Sequence, residues 1–141
     1  MGQRQKLVFG ALIVAGLALF VMAGLIGNDN SPDEALRTPG VEGLIPGRGD
    51  EVLQQQRVGI DLEPGFRLVS LTISPDARCA SPVEVISDVQ RVDGLVQYFF
   101  QPADGKILRA LAPDQNCVIA TIEDITRPGL FTEIQWVFTV N

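Results

Sequence analysis

An uncharged apolar run near the N-terminus constrains this chain more than any other feature. Residues 7–27 read LVFGALIVAGLALFVMAGLIG, 21 residues without a charged side chain. A helix of that length measures about 31 Å, close to the roughly 30 Å hydrocarbon core of a bilayer. Because a helix satisfies its own backbone polar groups without water, the run predicts one transmembrane α-helix.

The charges on either side of the run predict its orientation. Arg4 and Lys6 precede it, whereas Asp29 and Asp33 follow it. The positive-inside bias therefore places residues 1–6 in the cytoplasm and the residues after Gly27 outside. Residues 7–27 would anchor the chain in the plasma membrane. A cleaved secretory signal is the alternative, but the run is longer than the usual 7 to 15 residues of a signal peptide's apolar region.

The region after the run is acidic and lacks the side chains that most catalytic sites need. It carries 17 acidic and nine basic residues, a formal charge of −8, which argues against nucleic acid as a partner. The chain contains no histidine, so it lacks the base of Ser-His-Asp and Cys-His catalysis and the commonest metal ligand. The adjacent carboxylates Glu123 and Asp124 would face opposite sides of a strand. We therefore expect no enzyme activity, no metal and no cofactor.

Proline and glycine dominate the segment that follows the run. Residues 28–50 contain three prolines and four glycines among acidic residues, a composition typical of an extended linker. Within it, Ser31-Pro32-Asp33-Glu34 matches a helical capping box with proline at the first helical position. This predicts a short helix through Arg37 inside the linker.

From residue 51 onward, apolar and polar residues alternate, with turn residues every 8 to 12 positions. This pattern predicts one all-β sandwich domain over residues 51–141. Residues 51–57 are a weaker strand prediction, with a short helix as the alternative. About seven strands are predicted with clearer patterns: residues 58–62, 69–73, 83–92, 95–101, 106–111, 117–125 and 133–140.

Two cysteines, Cys79 and Cys117, lie in the region predicted to be outside the cytoplasm. An oxidising compartment would favour their pairing. A disulfide closing that loop would stabilise the fold by roughly 3 to 4 kcal/mol on the chain-entropy estimate. The alternative is two buried thiols, because spacing alone does not show whether the two Cα atoms approach each other.

The C-terminal half resembles a known family. It contains YFFQP at residues 98–102, CVIAT at residues 117–121 and a closing WVFTV at residues 136–140. These stretches resemble bacterial Ig-like domains of membrane-anchored cell-surface proteins. The resemblance implies an Ig-like Greek-key β-sandwich with Trp136 and Phe138 in its core, and a surface or spacer role without a specified ligand.

The alternation around residue 98 also predicts a partner surface. If Val96, Tyr98 and Phe100 face the core, Leu95 and Phe99 face outward. Exposed apolar and aromatic side chains on a small domain can mark a site of protein contact. Cover from the linker or from another loop is the alternative.

Together these features predict a membrane-anchored extracytoplasmic module without enzyme activity. It would bind another envelope protein or have a structural role in the cell envelope. The alternative is an accessory subunit of a membrane complex, bound through its transmembrane helix.

Overall fold

The structure is a computed structural model that describes residues 38–92 and 94–141. Within these residues, nine strands and one 3-10 helix account for the regular secondary structure. The strands are β1 (Val41–Ile45), β2 (Glu51–Val52), β3 (Val58–Leu62), β4 (Phe66–Ser74), β5 (Val83–Glu84), β6 (Gln90–Val92), β7 (Gln97–Phe100), β8 (Asp114–Asp124) and β9 (Phe131–Val140).

The strands form two sheets. One has four antiparallel strands in the order β1-β3-β7-β6, and the other has five in the order β2-β9-β8-β4-β5. Neighbours in the second sheet are antiparallel, except that the short β2 runs parallel to β9. The chain passes from the first sheet to the second between β1 and β2, at the cis peptide bond Ile45–Pro46.

One apolar core lies between the two sheets, which makes the fold an all-β sandwich. The strongest alternation in the sequence, that of β9, buries Trp136 and Phe138 in this core, as expected. Burial of such side chains contributes about 1.5–3 kcal/mol each. The other core positions of the long strands are Val58, Ile60, Leu62, Leu68, Leu71, Ile73, Phe100, Val118, Ala120, Ile122, Ile134 and Val140.

The predicted disulfide is confirmed. Cys79, in the loop between β4 and β5, is bonded to Cys117 on β8, with the two Cα atoms 5.2 Å apart. The same loop is organised by Asp76, whose carboxylate accepts hydrogen bonds from the Ser74 hydroxyl at 2.5 Å and the Arg78 backbone N–H at 2.7 Å. These bonds, the Ser74 hydroxyl first, hold the pKa of Asp76 below its usual value.

The predicted linker, residues 28–50, is wrong at its C-terminal end, because Val41–Ile45 forms strand β1. This strand lies at the edge of the four-stranded sheet and pairs with β3, with a bulge between Val41 and Gly43. Glycine at the bulge and Pro46 after the strand gave the segment the composition of a linker. Both residues are compatible with an edge strand.

Two predicted strands are shorter than expected. The run over residues 83–92 is interrupted by a 3-10 helix at Ile86–Asp88, so it supplies only the short β5 and β6. Of residues 51–57, only Glu51–Val52 pairs as a strand. The turn that follows is closed by a hydrogen bond from the Gln56 N–H to the Leu53 carbonyl.

The strand predicted over residues 106–111 is wrong, since these residues form part of the loop between β7 and β8. The Ala103 N–H donates to the Leu108 carbonyl at 3.3 Å, and the Leu111 N–H donates to the Gln54 carbonyl at 2.9 Å. Leu111 is buried and Leu108 packs against the core. The alternation that suggested a strand here reflects this burial without sheet pairing.

The predicted transmembrane helix over residues 7–27 and the predicted short helix through Arg37 lie outside the described residues. In the described ranges, no helix has the length and hydropathy needed to cross a membrane.

Candidate interaction surface

Four segments meet at the end of the sandwich where the chain enters β1. The Glu63 N–H donates to the Gly40 carbonyl at 2.9 Å, and the Ile125 N–H donates to the Gly65 carbonyl at 2.8 Å. The Leu62 N–H, at the end of β3, donates to the Val96 carbonyl at 2.9 Å. We call this the proximal end, formed by residues 38–40, 63–65, 94–96 and 125–131. The opposite end, formed by residues 53–57 and 101–113, is the distal end.

The proximal end exposes four large apolar side chains, Leu95, Ile125, Leu130 and Phe131, each between 47% and 56% exposed. Exposed large apolar side chains elsewhere in the described ranges are Leu53 and Ile107 at the distal end and Val69 on β4. Scattered exposed apolar residues are normal on a soluble surface, whereas four at one end make that end the candidate contact surface.

Asp124 organises the loop between β8 and β9, which carries Ile125 and Leu130 and leads into Phe131 at the start of β9. Its carboxylate accepts hydrogen bonds from the Thr126 hydroxyl at 2.6 Å, the Thr126 N–H at 2.9 Å and the Arg127 Nε–H at 2.7 Å. The Thr126 hydroxyl, followed by Arg127, lowers the pKa of Asp124 to about 2. The loop closes through the Leu130 N–H, which donates to the Arg127 carbonyl at 3.1 Å.

Glu123 holds the same loop from the outer face of the sheet. One carboxylate oxygen accepts from the Gly129 N–H at 3.0 Å, and the other accepts from the Arg67 Nε–H at 2.6 Å. The Gly129 N–H is the larger cause, and Arg67 the next, of a pKa below the usual range for Glu123. Gly129 has a φ of +88°, a conformation that L side chains rarely adopt.

In the ion pairs of Glu123 and Asp124, the arginine is exposed and the carboxylate is buried. The Arg67 and Arg127 side chains are 59% and 70% exposed, whereas their partners Glu123 and Asp124 are each 7% exposed. Arg127 in the proximal end and Arg67, next to that end on β4, therefore present their guanidinium groups to solvent, while the carboxylates that neutralise them are buried. Glu63 adds an exposed carboxylate in the neighbouring loop.

The adjacent carboxylates Glu123 and Asp124 do not converge on one site. They belong to opposite faces of β8, as the sequence predicts. Glu123 accepts hydrogen bonds from the loop and from Arg67 on β4, and Asp124 accepts its hydrogen bonds from the loop. Their arrangement instead positions the loop's apolar side chains.

The structure separates the two residues of the predicted partner surface. Leu95 is 56% exposed at the proximal end, whereas Phe99 is only 9% exposed, so the expectation that Phe99 is accessible is wrong. Phe99 does lie on the outer face of β7, but the Arg57 guanidinium covers its ring at 4.6 Å from the centroid. The alternative prediction, cover from another loop, describes Phe99 correctly.

Gly59 explains how Phe99 lies so close to the neighbouring strand. A Cβ at position 59 would lie 2.0 Å from the Tyr98 carbonyl oxygen and 2.7 Å from the Phe99 Cα. Both are backbone atoms, which do not move aside cheaply. Glycine in the interior of β3 therefore marks a close backbone approach, as it often does in strands.

An open cavity of about 470 Å³ lies along β9. Arg48 lines it and donates from its guanidinium to the Gln135 carbonyl at 2.7 Å. In the same turn, Asp50 accepts a hydrogen bond from the Gly47 N–H at 2.7 Å. The polar groups of this turn thus stabilise its attachment to β9.

Within residues 38–92 and 94–141, no group of three or more His, Cys, Asp or Glu side chains is placed to hold a metal ion. Comparison of the chain with protein-family models, curated proteins and solved structures finds no match.

Proposed function

We propose that this protein is a single-pass, membrane-anchored, extracytoplasmic module with an Ig-like domain. It acts through contact with another component of the cell envelope and not through catalysis. The proximal end is its contact surface. The observation that carries the proposal is the clustering of four exposed apolar side chains on rigidly hydrogen-bonded loops at that end.

The strand order supports the Ig-like assignment. In Ig-like domains, strands A, B, E and D form one sheet, and G, F, C and C′ form the other. Labelling β3 to β9 as B, C, C′, D, E, F and G gives that order, with β1 and β2 as two halves of strand A. The disulfide departs from the antibody pattern, because it joins the β4–β5 loop to β8 and not strand B to strand F.

The disulfide also supports a location outside the cytoplasm. Structural disulfides persist in oxidising compartments and are rare where glutathione and thioredoxin keep thiols reduced. The apolar run over residues 7–27 and the basic residues before it support an anchor with its N-terminus inside. A plasma-membrane protein with its domain outside satisfies both observations.

Photocrosslinking in intact membranes tests the contact surface. A photoreactive amino acid replaces Leu95 or Phe131 in the full chain, and matched variants carry it at the distal positions Leu53 and Ile107. All four positions are exposed apolar sites. We expect adducts with other components of the envelope, lipid included, to be several times more abundant at the two proximal positions than at the two distal positions. Equal adduct yields at both ends would refute the proposed surface.

Exchange of the anchor separates this proposal from the accessory-subunit alternative. Residues 7–27 are replaced by an unrelated apolar helix of equal length, and the crosslinking is repeated. Adducts that persist at Leu95 and Phe131 support contact through the domain. Their loss would instead favour a specific contact made by the transmembrane helix.

A further inference from the structure

The chain reaches the domain at the same end that exposes the apolar side chains. Thr38 accepts a hydrogen bond from the Val41 N–H at the start of β1, and Gly40 accepts one from Glu63 in the proximal loop. Any tether that precedes Thr38 therefore joins the domain beside Leu95, Ile125, Leu130 and Phe131.

The length of this tether restricts what the proximal end can meet. Ten residues separate residue 27 from Thr38, and ten residues span at most about 36 Å when fully extended. Strand β8 alone, with 11 residues, is about 36 Å long. The proximal end is thus the end that a short tether keeps close to a bilayer.

The chemistry of the proximal end fits the interface of a bilayer. Exposed leucine, isoleucine and phenylalanine side chains favour the boundary between headgroups and acyl chains. The exposed guanidinium groups of Arg67 and Arg127 can donate hydrogen bonds to lipid phosphates, while their carboxylate partners are buried behind them. The hydrogen-bonded loop holds its apolar side chains in place before contact, which reduces the entropy lost on binding.

A tethered contact needs little intrinsic affinity. Because a tether of ten residues confines the domain near the bilayer, even a weak contact is populated. Four half-exposed apolar side chains are a small surface for a soluble protein partner, whose stable interfaces bury about 800 Å² per partner. A bilayer is always within reach of a membrane-anchored domain.

We propose that Leu95, Ile125, Leu130 and Phe131 insert shallowly into the outer surface of the bilayer that holds the N-terminal anchor. This contact fixes the domain with its proximal end against the membrane and its distal end facing away. The inference rests on the proposed membrane anchor. Apolar insertion provides the contact, so phosphatidylcholine suffices and anionic lipid adds little.

Fluorescence quenching by labelled lipids tests this contact in the full chain. The protein is reconstituted into phosphatidylcholine vesicles that contain lipids with a nitroxide in the headgroup or near the top of the acyl chain. A fluorescent amino acid replaces Phe131 in one variant and the distal Leu53 in its control. We expect at least threefold stronger quenching at position 131. Equal quenching at the two positions, in protein that floats with the vesicles, would overturn the inference.

A second pair of variants tests the side chains themselves. With the fluorescent amino acid at position 95, the double substitution Ile125→Asn and Leu130→Asn should reduce quenching at least threefold. The matched distal pair, Leu53→Asn and Ile107→Asn, should leave it unchanged. An unreduced Cys79–Cys117 disulfide and an unaltered circular dichroism spectrum verify that each variant is folded. Unchanged quenching in the folded proximal variant would overturn the inference.

Two further outcomes separate the possible failures. Protein that alkaline carbonate removes from the vesicles would refute the anchor, and the bilayer contact with it. If the protein is retained and its quenching increases more than tenfold on addition of phosphatidylglycerol, electrostatic attraction and not apolar insertion makes the contact. This result would overturn the inference. Quenching that changes less than twofold on this addition supports the inference.

Discussion

Removal of the Cys79–Cys117 disulfide should destabilise the domain strongly. The bond joins the β4–β5 loop to β8, the central strand of the five-stranded sheet, across a sequence separation of 38 residues. Substitution of both cysteines by alanine leaves the hydrogen bonds of Asp76 in the same loop intact. We therefore expect the native fold to persist and the loss to arise mainly in the unfolded chain, which becomes free to expand.

The loop length determines the magnitude. Closing 38 residues restricts the unfolded chain by about 4 kcal/mol on the chain-entropy relation. The free energy of unfolding of a domain is about 5–15 kcal/mol, so the loss of the disulfide removes a large fraction of it. For a domain of this size, such a loss lowers Tm by roughly 15–30 °C.

Urea unfolding of the full chain in mild detergent measures this loss. Trp136 is the single tryptophan and is buried, so its emission reports unfolding of the sandwich core. The double alanine variant should show a lower free energy of unfolding and a larger m value, because its unfolded state exposes more surface. The single variant Cys79→Ala should lose about as much. A loss below about 1 kcal/mol in the double variant would refute the cross-link argument.

Three other substitutions test particular contacts. Gly59→Ala should destabilise the domain by about 3 kcal/mol in the same unfolding assay, because its Cβ would overlap the Tyr98 carbonyl and the Phe99 backbone; an unaffected midpoint would contradict this. Arg57→Ala should lower stability by about 1 kcal/mol and expose the Phe99 ring, which increased binding of an apolar dye would detect. The pKa of Asp124 is lowered from 3.8 to about 2, so its stabilisation is complete above about pH 4 and is lost as the pH falls toward 2. In the Asp124→Asn variant, the free energy of unfolding should therefore fall less steeply between pH 4 and pH 2 than in the native protein. An equally steep fall would count against this role.

The long strands were predictable because their pattern is strong. Alternation predicted β8 as residues 117–125 and β9 as residues 133–140, within three residues of their ends in the structure. Strand β1 escaped prediction because an edge strand tolerates glycine and proline, whose presence indicates a linker. Pairing register and sheet order depend on contacts between distant segments, which alternation in one segment does not encode.

The proximal end was only partly predictable. Leu95 was identified from its position on the outer side of a strand, but Ile125, Leu130 and Phe131 were not. A signal was present, since three apolar residues flank the Thr-Arg-Pro-Gly turn, where polar residues are usual. Their clustering with Leu95 follows from hydrogen bonds between loops far apart in sequence, such as Ile125 to Gly65. Sequence alone also gave no reason to expect that Arg57 would cover Phe99.

Protease digestion of intact cells tests the proposed location most directly. The full chain is expressed, spheroplasts are treated with an added protease, and membranes are then washed with alkaline carbonate. We expect the disulfide-bonded domain to be cut in intact spheroplasts, with a fragment containing residues 7–27 retained in the washed membrane. A domain that is protected until the cells are lysed, or a chain released by the wash without digestion, would contradict an anchored extracytoplasmic module.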